Sequence, residues 1–162
     1  MGLLAPSALE AMIQKARKTG KNLQFAALPY RIRKGKPQIL MVTSRGTQQW
    51  IIPKGWPMDG MKPHKAAAQE AWEEAGITGA IGKHSIGQFR YRKTRGPLRG
   101  QKIRVMAFAL EVDKLAKHYP EAGQRRRKWM RPKKAAKHIR IPELAEIVRN
   151  FDTKQLKKRA RP

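Results

Sequence analysis

Apolar residues come in short blocks separated by glycine, proline and lysine, and the spacing inside each block predicts its element. Leu23, Phe25, Ala27 and Ile32 are spaced as on a strand that bends at Pro29. The turn residues Lys34-Gly35-Lys36-Pro37 follow, and then the run Ile39-Leu40-Met41-Val42, so the two blocks predict a hairpin. Gln49-Trp50-Ile51-Ile52-Pro53 predicts a short buried strand stopped by proline. After the turn-rich stretch Lys54 to Lys62, Pro63 suits a first helical turn, Ala66 to Ala75 has high helix propensity, and Gly76 is the expected stop. Two more strands are expected at Ser85 to Arg92 and Ile103 to Val112, and a short one at Arg127 to Met130. Pro142 opens a final helix whose Leu144, Ile147, Val148 and Phe151 share a face.

The order β-β-β-α-β-β-β-α describes an α/β (α+β) domain, a sheet covered by helices. Residues 1–22 carry Leu3, Leu4, Leu9, Met12 and Ile13 ahead of a basic run, a pattern shared by a loosely held helix and a mobile arm. The expected division is an arm or helix at 1–22, one domain at 23–151 and a basic tail at 152–162.

Charge changes the picture most. Among 162 residues, 37 are Lys or Arg and 11 are Asp or Glu, a net charge of +26. Such a surface repels itself and calls for a polyanionic partner. There is no cysteine, which excludes disulfide scaffolds, thiolate zinc sites and cysteine nucleophiles. The apolar runs are too short for a membrane span, and the start lacks secretory and myristoylation signals. A soluble, cytoplasmic protein with no membrane partner is expected, as monomer or homodimer.

Against that basic background, Glu70, Glu73 and Glu74 place three carboxylates in five positions. On a helix they share a face, and like charges at that spacing repel. A hard divalent cation, Mg²⁺ or Mn²⁺, turns the repulsion into affinity, although spacing alone fits a solvated acidic stripe equally well. The loop before the helix brings Gly55 and Gly60 to a helix N-terminus, where backbone N–H groups favour phosphate. Phosphate and metal in one pocket suit metal-assisted phosphoryl chemistry.

The order Gly55, five residues, Met61, seven residues, then Gln69-Glu70-Ala71-Trp72-Glu73-Glu74-Ala75-Gly76-Ile77 resembles the Nudix box. That box reads glycine, five residues, Glu, seven residues, Arg-Glu, an aliphatic, any residue, Glu-Glu, any residue, glycine, an aliphatic. Met61 and Gln69 stand where the box has Glu and Arg. In the family that arginine helps orient the glutamate represented by Glu70, a task left here to a neutral hydrogen bond from Gln69.

The resemblance implies a Nudix-type α/β/α sandwich with a mixed sheet between helices. It also implies a Mg²⁺- or Mn²⁺-dependent pyrophosphohydrolase, with Glu70, Glu73, Glu74 and the Gly55 carbonyl around the metal and Glu70 and Glu73 in catalysis. Glu121, after Pro120, is the candidate for the second acid that the family often draws from a far loop. The run Arg126 to Met130, with a helix-like Lys133 to Ala136, resembles the subgroup acting on diphosphoinositol polyphosphates and dinucleoside polyphosphates. Positions matching that subgroup's phosphate-facing residues are Arg45, Lys54, Lys102, Arg104, Arg127 and Lys128. Lys102, Arg104, Arg127 and Lys128 fall in two basic clusters, seven Lys or Arg in 90–104 and nine in 125–140. The expected partner is a polyanionic small-molecule substrate. The alternatives are an RNA 5′-pyrophosphohydrolase and a nucleic-acid-binding Nudix module without turnover.

Overall fold

A computed structural model describes residues 22–154 and 156 of the chain. All but Asn22 of the predicted arm, and most of the basic tail, lie outside the described residues. The elements are β1 (Asn22–Arg33), β2 (Lys36–Thr43), β3 (Trp50–Ile51), β4 (Lys54–Gly55), α1 (Pro63–Ala75), β5 (Ile77–Ile81), β6 (Gly87–Arg92), β7 (Lys102–Leu115), β8 (Arg127–Met130), α2 (Pro132–His138) and α3 (Pro142–Arg149).

The expected hairpin is present, with β1 and β2 antiparallel and Tyr30 opposite Ile39. The sheet is mixed, in the order β3-β2-β1-β7-β5, with β4 on β1, β6 on β7 and β8 on β2. Its parallel pair is β1 and β7, in register from Asn22 opposite Ile103 to Tyr30 opposite Glu111. β1 does not stop at Pro29. One edge of it pairs with β4 at Phe25 and Ala26 and with β2 from Tyr30 onward, so Pro29 falls where that edge changes partner.

Strand residues alternate between two cores. Ala26, Leu28, Ile39, Met41, Ile103, Val105 and Ala107 pack with Ala135, Ala136, Leu144 and Val148 of α2 and α3. Phe25, Ala27, Leu40, Val42, Phe108 and Leu110 pack with Ala66, Ala67, Ala71 and Ala75 of α1. Burial on both faces is why Ile39–Val42 and Val105–Leu110 read as unbroken apolar runs. The result is the helix–sheet–helix sandwich.

Two differences from the sequence reading have local causes. β5 was not foreseen, since Thr78, Gly79 and Ala80 are exposed and a bulge at Thr78/Gly79 breaks the alternation. β4 is too short to leave a periodicity, and it forms because Lys54 and Gly55 pair with β1. α1 begins at Pro63 as expected, the proline supplying a preset φ and needing no N–H bond there.

α1 positions the carboxylates. Its buried stripe is made of alanines, so the helix lies close to the sheet. At 3.6 residues per turn, Glu74 falls inside that stripe, Glu70 at its border and Glu73 further round. Gly76 ends the helix at φ 66°, its N–H returning to the carbonyls of Ala71 and Trp72. A Cβ there would also meet the Tyr119 ring. Gly76→Ala is therefore expected to cost about 1–2 kcal/mol from the left-handed backbone alone, more with the ring contact, read as a lowered urea midpoint.

Candidate active site

The loop before α1 brings its backbone against the helix. The Lys54 N–H donates to Glu74 Oε2 at 3.4 Å, and Glu74 is only 7% exposed. Gly55 lies flush against Glu70, so that a Cβ at this position would occupy the space of the Glu70 carboxylate. That close approach is the reason for glycine here.

Glu121 arrives from the loop between β7 and β8. Its N–H donates to the Glu73 carbonyl at 3.0 Å. Its carboxylate lies 3.6 Å from Arg45 Nη1 and 3.4 Å from Arg125 Nη2. Arg125 Nη2 is also 3.6 Å from Glu74 Oε1, and its Nη1 donates to the Thr43 carbonyl at 3.2 Å. One guanidinium thus stands between a helix carboxylate and a loop carboxylate.

Crowding shows in the protonation energetics. Glu70 is pushed up to about 7, first by burial and then by Glu74, Glu73 and Glu121. Glu74 is likewise pushed up to about 7 by burial, with Arg125 and Lys54 pulling the other way. Burial lowers the Lys54 ammonium to about 8 against the opposing pull of Glu74. Lys54 Nζ also sits 4.7 Å from the Tyr91 ring centroid.

Beside this cluster is a cavity of about 610 Å³ whose wall includes Glu74. Its charged lining is otherwise all basic: Arg45, Lys54, Arg90, Arg92, Lys93, Arg95, Arg125 and Arg140. These come from the β2–β3 loop, β4, β6 with the loop after it, and the segments before β8 and α3. Arg90 is tied to Glu143 of α3, Nε to Oε1, at 3.2 Å.

The structure brings together Glu70, Glu73, Glu74, Gly55, Glu121, Lys54 and Arg45 of the sequence-predicted site. It does not bring the other four to the cavity wall. Arg127 Nη1 donates to the carbonyls of Ala75 and Ala116 at 2.8 and 3.1 Å, and the guanidinium stacks on Tyr119. Those carbonyls hold its Nη1 away from the cavity wall. Lys128 pairs opposite Met41 in β8. Lys102 and Arg104 stand opposite Arg92 and Arg90 in the β6–β7 ladder, off the wall.

Gln69 also departs from expectation. Its Nε2 donates to Glu73 Oε1 at 3.1 Å, not to Glu70, because the i, i+4 spacing puts Glu73 directly in reach. The sequence reading singled out neither Arg125 nor Arg140 as a cavity residue, nor Arg90, Arg92, Lys93 and Arg95. The two basic clusters were their only signal.

The donor chemistry suits a hard divalent cation, with carboxylate oxygens, a glycine carbonyl and buried like charges whose mutual repulsion an ion relieves. Among the described residues, no three His, Asp or Glu side chains yet close on a common point.

Residues 22–151 match the NUDIX domain. Similar proteins include Nudix hydrolase 13, mitochondrial, of Arabidopsis thaliana, 29% identical over 121 residues that cover 72% of this chain and 60% of that protein. Diphosphoinositol polyphosphate phosphohydrolase 3-alpha of Mus musculus is 30% identical over 120 residues, 73% of this chain and 69% of that one. Among solved structures, a binary complex of the C. elegans Ap4A hydrolase superposes with TM-score 0.63 over 84% of this chain and 98% of its own, at 22% identity. That likeness bears on the fold. With the matched domain running from β1 through α3 and the glutamates, glycine loop and sandwich in place, the chain belongs to the Nudix family.

Proposed function

We propose that this chain is a Mg²⁺-dependent hydrolase of phosphoanhydride bonds in highly phosphorylated small molecules, diphosphoinositol polyphosphates or dinucleoside polyphosphates. The observation that carries the reading is the juxtaposition of a wide cavity, lined by eight basic side chains, with a carboxylate cluster whose one buried member, Glu74, enters its wall. A nucleoside diphosphate needs far fewer cations than this wall offers. Two relatives act on substrates of this kind by name, the mouse phosphohydrolase and the Ap4A hydrolase.

Glu70, Glu73, Glu74 and the Gly55 carbonyl would hold the cation. When bound, a divalent ion neutralises bridging phosphate and lowers the pKa of water. The chain's own groups do the rest. Arg45, Arg92, Arg95 and Lys93 hold the outer phosphates, Arg by its planar fork and Lys as a point charge. Lys54, fixed beside Glu74, receives the phosphate closest to the carboxylates. Glu70, whose pKa lies near neutrality, is placed to take a proton from the attacking water, and Glu121 is a second candidate acid.

Phosphate release is to be measured from a diphosphoinositol polyphosphate, a diadenosine polyphosphate and triphosphorylated RNA, each with and without Mg²⁺. Turnover of either small molecule only with Mg²⁺ is expected. Turnover confined to RNA, or metal-independent RNA retention with no turnover, would replace this reading with one of its alternatives. Glu70→Gln and Glu74→Gln are each expected to lower kcat by about a hundredfold or more with an unchanged circular dichroism spectrum.

The cavity cations divide from the carboxylates kinetically. Arg92→Ala and Arg95→Ala are expected to raise KM by about tenfold each while kcat falls little, since they bind substrate and transition state alike. Equal loss in kcat would place them at the reacting phosphorus instead.

Burial at Glu70 also has a stability sign. Its pKa in the fold, about 7, lies above the ordinary value of 4.5, so the fold prefers the protonated form. The resulting stability is full below pH 4.5 and is lost as pH rises through 7. Without divalent ions, Glu70→Gln is therefore expected to match the wild type near pH 5 and exceed it near pH 8 in urea midpoint.

A further inference from the structure

Arg125 is the least satisfied member of the site. Its side chain is 8% exposed, and its Nε is buried with no hydrogen-bond partner. Its two carboxylate contacts, 3.4 Å to Glu121 and 3.6 Å to Glu74, are well beyond the 2.7–2.9 Å of a tight charge-assisted bond. A buried arginine with a purely architectural task normally satisfies its fork, as Arg127 does on two carbonyls at 2.8 and 3.1 Å. Arg125 instead keeps one carbonyl, that of Thr43, on its Nη1, while its Nη2 stands loosely between two carboxylates on separate elements and the residue also lines the cavity.

We infer that Arg125 is a resident counter-cation that a divalent ion displaces. In the metal-free protein its guanidinium holds Glu74 and Glu121 near one another. When an ion takes those carboxylates, the fork turns into the cavity and receives a substrate phosphate. The inference rests on the metal-dependent reading of the site. Its physical basis is electrostatic, because the guanidinium and a divalent ion repel one another and draw on the same two carboxylates, Glu74 buried and Glu121 half-buried. The two cations therefore compete, and the displaced arginine borders the cavity. Metal binding and phosphate binding become linked through one side chain.

The test is Mn²⁺ affinity by calorimetry with no phosphate present, in the wild type, Arg125→Gln and Arg125→Lys. Removing the competitor is expected to tighten Mn²⁺ binding in Arg125→Gln by about tenfold, with Arg125→Lys close to the wild type. With Mn²⁺ saturating, methylenebisphosphonate is expected to bind Arg125→Gln about tenfold more weakly. Mn²⁺ affinity that is unchanged or weaker in Arg125→Gln overturns the inference and leaves the metal-dependent reading standing. No Mn²⁺ binding in any of the three overturns both. If Arg125→Gln does not fold, the wild type still decides. The ¹⁵Nε signal of Arg125, assigned with Arg125→Lys, is expected to shift with Mg²⁺ at the calorimetric midpoint, and a signal that stays still overturns the displacement.

Discussion

Glu70, Glu73, Glu74 and Glu121 lie near enough that the other three oppose the charge on Glu70, and the energetics of keeping them there shape most of the site. Glu74 lies inside the apolar stripe of α1 and Glu70 at its border, so neither is fully hydrated. Their charge is tolerated only through a proton, a nearby cation or a donated N–H. The structure supplies the last two with Lys54 and Arg125. It also removes every side chain that would keep the groups apart. Alanines let the helix settle on the sheet, and Gly55 leaves room for the Glu70 carboxylate. The arrangement sacrifices stability locally, and the deep two-sided core of the sheet carries that loss.

The basic wall follows the same logic with the sign reversed. Arg92 faces Lys102 and Arg90 faces Arg104 across the β6–β7 ladder, pairings that are unfavourable between neighbours on one face. Among the described residues of this ladder, only Arg90 is in ion-pair contact with a carboxylate, Glu143 of α3. A fold selected for stability alone would have alternated charges there. Two unfavourable charge collections are thus placed side by side, negative on α1 and positive around the cavity. A phosphorylated molecule with a divalent ion is the type of ligand that relieves both at once.

Legibility in the sequence followed the range of the interaction. α1 was readable because its signals are local: a proline that presets φ, a run of good helix formers and a glycine that accepts φ 66°. The paired runs of β1, β2 and β7 were readable because both faces of the sheet are covered. β5 was not, since its middle is exposed and a bulge breaks its period. For the site, spacing along one helix identified Glu70, Glu73 and Glu74, and the structure adds the graded burial that distinguishes them. Arg127 and Arg125 show the limit. Two arginines separated by one residue have opposite tasks, one held on the carbonyls of Ala75 and Ala116 and the other among carboxylates. Nothing in a run of three arginines tells them apart, because the distinction rests largely on residues distant in the chain, Thr43 and Glu74 for Arg125 and Ala75 for Arg127.

That division of labour binds the loop after β7 to the carboxylate helix as one unit. The Ala116 N–H bonds to the Gly76 carbonyl at 2.8 Å, and Tyr119 packs on the Cα of Gly76. The Glu121 N–H reaches the Glu73 carbonyl, and Arg127 holds Ala75. Two free carbonyls in the last turn of α1, those of Glu73 and Ala75, are therefore satisfied by the loop and by β8. Where the Nudix box has an arginine, this chain has Gln69, whose neutral amide steadies only Glu73. The positive charge among the carboxylates comes from Arg125, at the far end of the same loop. A helix residue would be fixed by its own backbone, whereas a loop residue can leave. Moving the cation from helix to loop makes its position depend on what else occupies the site.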